Sequence, residues 1–330
     1  MKRHLLIDMG AARTRVVCVG DSRQWNEPSA VMTTVAEPPR ILAVSVEADA
    51  AVERTPDNIR VRRPQMAGRI AEPDLVEKQL AFWLQKCLGR VFLPVVRPCL
   101  TQTVPCGAMD YERKALVDAG CAAHFKTVKL VDELVAHAAG LDGRVSSDEP
   151  TVVVAVGAAY AQAGVVRNGA VLTQRMIHAK NPRDGAAGDA VTAELRHWID
   201  VTFGLSVGVD QVEDLKCGEV HKIVGFSSSE GCFKTVEIAD AQILQAVRPV
   251  LMRLAELVEG VIDDGAQSVG EAVRESVRRH GVFLTGGGAA HSGGGHCACR
   301  KCRLSIGRTR GCGGRQAADR ARYRTNPWCH

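Results

Sequence analysis

Apolar residues recur at two periods along this chain, and the changes of period mark its elements. Leu5, Leu6 and Ile7 lead into Asp8 and Gly10, and Val16 and Val17 follow, which reads as strand, acidic turn with glycine, and second strand. Residues 151–164 repeat that outline. Val152 to Val154 make the strand, Gly157, Ala158 and Ala159 fall where Gly10, Ala11 and Ala12 stood, and Ala155 stands in place of Asp8. Two such hairpins about one domain apart predict a duplicated nucleotide-binding fold.

The remaining pattern alternates helix and strand. Residues 4–52 read as short strands broken by turns, including 41–46. Pro73 and Asp74 open a helix over 72–88 with Leu75, Leu80, Phe82, Trp83 and Leu84 as its apolar positions. A second helix spans 110–119, a strand 128–131, and a helix 134–140 that a glycine closes. The polar stretch 142–150 marks a domain boundary. Beyond it, 190–199 and 212–217 read as helices and 223–236 as strands. The helix over 241–262 keeps its period through Ile243, Val247, Val250, Leu254, Val258 and Val261, with Asp240 as cap and Pro249 as a kink. Last, 282–285 is a strand that runs into Gly286, Gly287 and Gly288. The alternation predicts an α/β fold with mixed sheets, built as a clamp of two domains, 1–141 and 142–292, followed by an atypical tail, 293–330.

Composition narrows the classes. With 330 residues and 46% apolar content, the chain suits two ordinary domains. No run approaches the roughly 18 apolar residues of a membrane span. The first strand begins within four residues of Met1, which leaves no room for a leader and points to the cytoplasm. The net charge of +5 is concentrated at the end: from Gly293 onward there are nine basic residues and one acid, so the body carries −3. An acidic body gives no reason to expect nucleic acid as a partner. Seven of the twelve cysteines are scattered over the body without framework spacing, as thiols of a cytosolic chain would be.

Candidate chemistry sits at the turns. Asp8 ends a buried strand and can hold hydrated Mg²⁺ while Gly10 lets amides approach a phosphate; alone this is an ordinary hairpin turn, and the duplication favours the phosphate. Glu133, after Asp132, stands at a strand-to-helix junction, where a carboxylate orients water or caps the helix. Gly286 to Gly288 let backbone lie against a nucleotide, or form a flexible loop. Glu213 and Lys216 share a helix face, as an ion pair or as contacts to an adenosine. In the tail, His296, Cys297, Cys299, Cys302, Cys312, Cys329 and His330 are compactly spaced, yet no second Cys-x-x-Cys completes a zinc site. A frame-shifted end and a basic disordered arm are the other readings of that tail.

In order along the chain, these motifs resemble the rod shape-determining MreB-type bacterial actins, from about Leu5 to Ala290. Further landmarks carry the resemblance: Asn26 to Val31 after the first hairpin; Arg54 to Ile59, Arg63-Pro64 and Gly68 to Ala71; Val104 to Ala108 with Glu112-Arg113; and Pro249. The resemblance implies an actin-like ATPase fold, two ribonuclease H-like domains around a nucleotide cleft. It implies ATP and Mg²⁺ as cofactors, with Asp8 holding the metal through water and Glu133 as the hydrolytic carboxylate. Asp8, Gly10, Ala11, Ala12, Gly157, Glu213, Lys216, Gly286, Gly287 and Gly288 are then the nucleotide residues. The loop 88–96, with Phe92 and Leu93 between Arg90 and Arg97, corresponds to an apolar membrane loop, a core strand being its plain reading. The implied role is cell shape and wall morphogenesis, by self-association or co-assembly with MreB-type filaments and with the wall-synthesis machinery, in the cytoplasm or at the inner face of the cell membrane. Departures lie in the second loop, where the family's Asp-x-Gly-Gly-Gly-Thr is replaced by Ala155 to Tyr160, in Ala11 to Thr14, after Leu134, where the family proline is absent, and in the tail. They imply residual ATPase at most. A phosphotransferase of the same superfamily and a decaying paralogue are the alternatives.

Overall fold

The computed structural model describes residues 4–20, 23–52, 54–66, 69–70, 72–89, 97–141, 147–179 and 181–287. The expectations for Phe92, Leu93, Gly288 and the 293–330 tail, zinc included, lie outside the described residues.

Two sheets repeat one plan. In the first, Gln24–Pro28, Arg13–Val19 and His4–Met9 form an antiparallel meander, and Cys99–Val104 and Thr127–Asp132 continue it in parallel. In the second, Ala170–His178, Tyr160–Arg167 and Thr151–Val156 form the same meander, and Phe283–Thr285 joins in parallel. The turns match as well: the Gly10 amide donates to the Arg13 carbonyl and the Gly157 amide to the Tyr160 carbonyl, each at 3.0 Å. A Cβ at Gly10 would stand 2.9 Å from that carbonyl oxygen, so the tight turn needs glycine.

The two sheets differ in how they are covered. His4–Met9 alternates, burying Leu5, Ile7 and Met9 against the helices Pro73–Leu88 and Asp110–Ala122 through Leu80, Trp83 and Leu116. Asp8 therefore lies on the opposite face. Thr151–Val156 is buried throughout. One face packs on the long helix Asp240–Val269 through Val152, Val154, Leu257 and Val261, and the other, through Val153, Ala155 and Val166, packs on Leu134 and Cys106 of the first half. Burial on both faces explains the unbroken apolar run. It also places Ala155, 2% exposed, where an aspartate would have to be buried in an apolar seam.

Each half carries a smaller sheet: Ile41–Val44, Val31–Thr34 and Ile59–Arg62 in the first, Leu205–Ser206, Lys222–Ser227 and Cys232–Glu237 in the second. The latter shares its own core with the helices Gly188–Phe203 and Val209–Cys217 and the start of the long helix, around Ile199, Leu205, Leu215 and Val247. No helix among the described residues is long and apolar enough to cross a membrane.

Several local expectations change. The strand expected to 46 stops at Val44, Ser45 turns the chain at φ +66°, and Val46–Asp49 is a short helix. The long helix is continuous through Pro249 and extends to Val269. Its start is held by Gln242, whose Oε1 accepts the Ala239 amide at 2.9 Å, while Asp240 sits in the first turn instead of capping it. The helix Ala272–His280, too charged to show an apolar period, buries Val273 and Ser276.

Leu134, fully buried, holds the two halves together: its Cδ1 lies 2.6 Å from where a Cβ on Gly164 would be. Leu134→Ala is expected to lower unfolding stability by about 2–5 kcal/mol, read as the shift of the urea midpoint.

Candidate nucleotide cleft

A cavity of about 1380 Å³ opens between the halves and is bounded by both hairpin turns. Asp8, Gly10, Ala11, Ala12, Glu133, Gly157, Glu213, Lys216, Gly286 and Gly287 all line it. Residues far apart in sequence are thus brought to one cleft by the duplicated sheets.

The first turn is clamped from behind. Ser29 donates its hydroxyl to the Gly10 carbonyl at 2.6 Å and its amide to the Ala12 carbonyl at 2.9 Å, and shares a 2.7 Å hydrogen bond with Thr14. The segment after the first hairpin therefore has a mechanical role: it shapes the turn. The second turn is fixed at the start of the helix Gly188–Phe203, where the Gly188 and Asp189 amides donate to the Gly157 and Ala158 carbonyls. Gly286, at φ +85°, lies against Val156; a Cβ there would come 2.6 Å from the Val156 carbonyl oxygen. Only glycine lets this loop approach the turn so closely.

At the far end, Glu213 and Lys216 lie one helical turn apart and form an ion pair, and Thr192 joins both: its hydroxyl donates to Glu213 and accepts from Lys216 at 3.0 Å. Asp189 nearby is pushed above the usual carboxylate range by burial, a shift that Arg63 and Lys216 oppose.

Each oxygen of the two carboxylates near the turns has a side-chain partner. Asp8 and Arg15 are directly opposed on paired strands; Arg15 Nη1 donates to Asp8 Oδ2 at 2.9 Å, and the Thr103 hydroxyl donates to Oδ1 at 2.6 Å. In the second hairpin the corresponding opposed pair is Ala155 and Gln162. Gln162 donates to Glu133 Oε2 and its own oxygen accepts the Cys106 amide at 3.2 Å. Tyr160 donates its phenol to the same Glu133 oxygen at 2.6 Å. His137 Nε2 lies 3.4 Å from Oε1, one turn along the helix from Glu133. Burial first, then the charge and hydrogen bond of Glu133, push the Tyr160 phenol well above its ordinary range, so it remains a donor. Burial likewise pushes the Cys106 thiol up to about 12. Asp132, the other acid of the pair, turns to an ion pair with Arg113.

Sequence reasoning missed Arg15 and His137. His137 stands four residues after Glu133 on a helix, a spacing that signals contact; Arg15 needed the hairpin register. Among the described residues no group of three or more His, Cys, Asp or Glu side chains is arranged to hold a metal.

Two halves on one duplicated plan, each with a glycine turn facing a shared cleft, define an actin-like fold. The chain belongs to the MreB/Mbl protein family, whose profile matches residues 2–305. It is 27% identical over 297 residues to the cell shape-determining protein Mbl of Bacillus cereus, covering 87% of this chain and 85% of that one. It is also 27% identical over 301 residues to the cell shape-determining protein MreB of Escherichia coli, covering 86% and 82%. Among solved structures, MreB5 of Spiroplasma citri bound to AMPPNP superposes with a TM-score of 0.74 at 19% identity, over 87% of this chain and 85% of that one. The MamK double helical filament superposes with a TM-score of 0.65 at 15% identity, over 90% and 97%.

The His137–Glu133 pair makes stability depend on pH. Burial lowers the His137 pKa, but the Glu133 hydrogen bond and charge, with Asp8 beyond, outweigh burial and the opposing Arg15, and hold it above its ordinary 6.5. A raised folded value means the pair's contribution is complete below pH 6.5 and is lost as pH rises through the folded value. The stability difference between the native chain and His137→Gln, from urea unfolding at a series of pH values, is expected to be largest below pH 6.5 and to shrink above it.

Proposed function

We propose that this chain is a nucleotide-binding bacterial actin of cell-shape control that assembles with itself or with MreB-type filaments and hydrolyses ATP residually at most. The family, and relatives that are cell shape-determining proteins, support the role. Structures of similar fold bound to AMPPNP and ADP, and the MamK filament, support nucleotide binding and self-association. The nucleotide contacts are then the turn amides at Gly10, Ala11, Ala12 and Gly157, the Glu213–Lys216 pair, and the loop at Gly286, Gly287 and Gly288. Magnesium, which the resemblance puts at Asp8 through water, meets a carboxylate that is already paired with the Arg15 guanidinium and is poorly suited to the site as built. The chain works in the cytoplasm, where Phe92 and Leu93 reach the membrane surface and the wall-synthesis machinery is the partner.

One observation carries the assignment of weak turnover. A carboxylate that orients water needs a lone pair facing the substrate. Tyr160 and Gln162 fill Oε2 of Glu133 and His137 stands 3.4 Å from Oε1, so the carboxylate is fixed by three side chains and only part of Oε1 is left to a water. Ala155 supplies no second charge. Losing a transition-state ligand of this kind costs about 3–4 kcal/mol, two to three decades in rate.

The test is a pelleting assay on the full chain with ATP, with phosphate release followed in the same tube. Sedimentation with release near the background of ATP alone is expected. Sustained multiple turnover would refute the residual-hydrolysis reading, and a chain that stays in the supernatant with and without nucleotide, alone and mixed with an MreB filament, would refute filament assembly.

A further inference from the structure

We infer that this cleft binds the phosphates of a nucleotide without a divalent cation, with a fixed guanidinium, Arg15, in the cation's place. The inference rests on the nucleotide assignment proposed for the cleft and deepens it.

A magnesium ion keeps several waters and is held through carboxylate oxygens that face it. Both carboxylates near the turns already accept bonds from side chains on each oxygen, and one of those donors is a cation. Asp8 has the Thr103 hydroxyl on one oxygen and Arg15 on the other. The bond to Arg15 is built into the hairpin, since the two residues are register partners on adjacent strands. Glu133 has donors on both oxygens as well. The position that duplicates Asp8 is Ala155, and the position that duplicates Arg15 is Gln162, so the second hairpin adds no charge. A cation held here through water would sit beside the Arg15 guanidinium and be repelled by it.

What remains suits bare phosphate. Arg15 and Arg13 both line the cavity at the first turn. No backbone hydrogen bond among the described residues engages the amides of Ala11, Ala12 or Ala158, which line the cavity at the two turns. Consecutive open amides beside a guanidinium form an anion site, and a charged donor makes the stronger bond to phosphate. The Asp8–Arg15 pair is neutral as a unit, so Asp8 does not repel the incoming charge, and Arg15 acts on phosphate as a hydrogen-bond donor of fixed position. Metal-complexed phosphate carries less negative charge for Arg15 to act on, so added magnesium gives no advantage.

The test is calorimetry of ADP binding to the full chain, in excess EDTA and in excess MgCl₂ at matched ionic strength. The dissociation constant in EDTA is expected to equal or better that in magnesium, to within about threefold. Binding at least about tenfold tighter with magnesium overturns the inference and leaves the nucleotide assignment standing. No heat in either buffer overturns both. Arg15→Leu, shown to be folded by circular dichroism, is expected to weaken binding in EDTA at least about tenfold, whereas Arg15→Lys keeps it within about threefold. If Arg15→Leu does not fold, Arg15→Gln takes its place with the same expectation. Unchanged affinity in EDTA without the cation at position 15 refutes the role given to Arg15.

Discussion

The Glu133 carboxylate is where two side chains of the second half, Tyr160 and Gln162, meet the first half in polar contact. It rises from the first half at the start of a helix, and the side chains that hold it, Tyr160 and Gln162, come from the second hairpin. Around it lies an apolar seam of Leu134, Cys106, Val153 and Ala155. A partly buried carboxylate in such a place is costly unless every oxygen is bonded. The surrounding substitutions meet that condition together. Tyr160 supplies a donor across the seam, Gln162 a second, His137 a third from the same helix, and Ala155 removes the charge that would have stood opposite.

This arrangement changes how the two sides of an actin-like cleft are joined. In a cleft whose carboxylates are open, ligand and metal complete the polar contacts between the halves. Here side chains complete many of those contacts. The first turn keeps its shape through Ser29 and the second through the Gly188–Phe203 helix. In the function proposed above, binding and hydrolysis are thereby separated: the turns that would receive phosphate are kept, while the carboxylates that would act on it are held by side chains.

Much of this was legible in the sequence, and the parts that were not have physical reasons. The duplication showed as two apolar strands with matching turns, because each hairpin is local and its register is set by one glycine. Glu133 showed through its place between a strand and a helix. Tyr160 showed as a departure, but its partner lies 27 residues away on the other half, and no local pattern connects them. The Asp8–Arg15 pair follows from counting register outward from the Gly10 turn, yet Arg15 on its own looks like any exposed strand arginine. The Ala272–His280 helix was hidden because only Val273 and Ser276 are buried among its charges. The N-cap of the long helix was misplaced because Asp240 is a good cap by type, while Gln242 three residues past Ala239 makes the bond.

The central claim is that Tyr160 and Glu133 bridge the halves in the absence of any ligand. A double-mutant cycle with Tyr160→Phe and Glu133→Ala, read by urea unfolding of the nucleotide-free chain, measures that bridge directly. The account predicts a coupling of about 1.5–3 kcal/mol, the value of a hydrogen bond to a charged group. Coupling indistinguishable from zero would mean that the bridge contributes nothing, and that Glu133 is free to do other work.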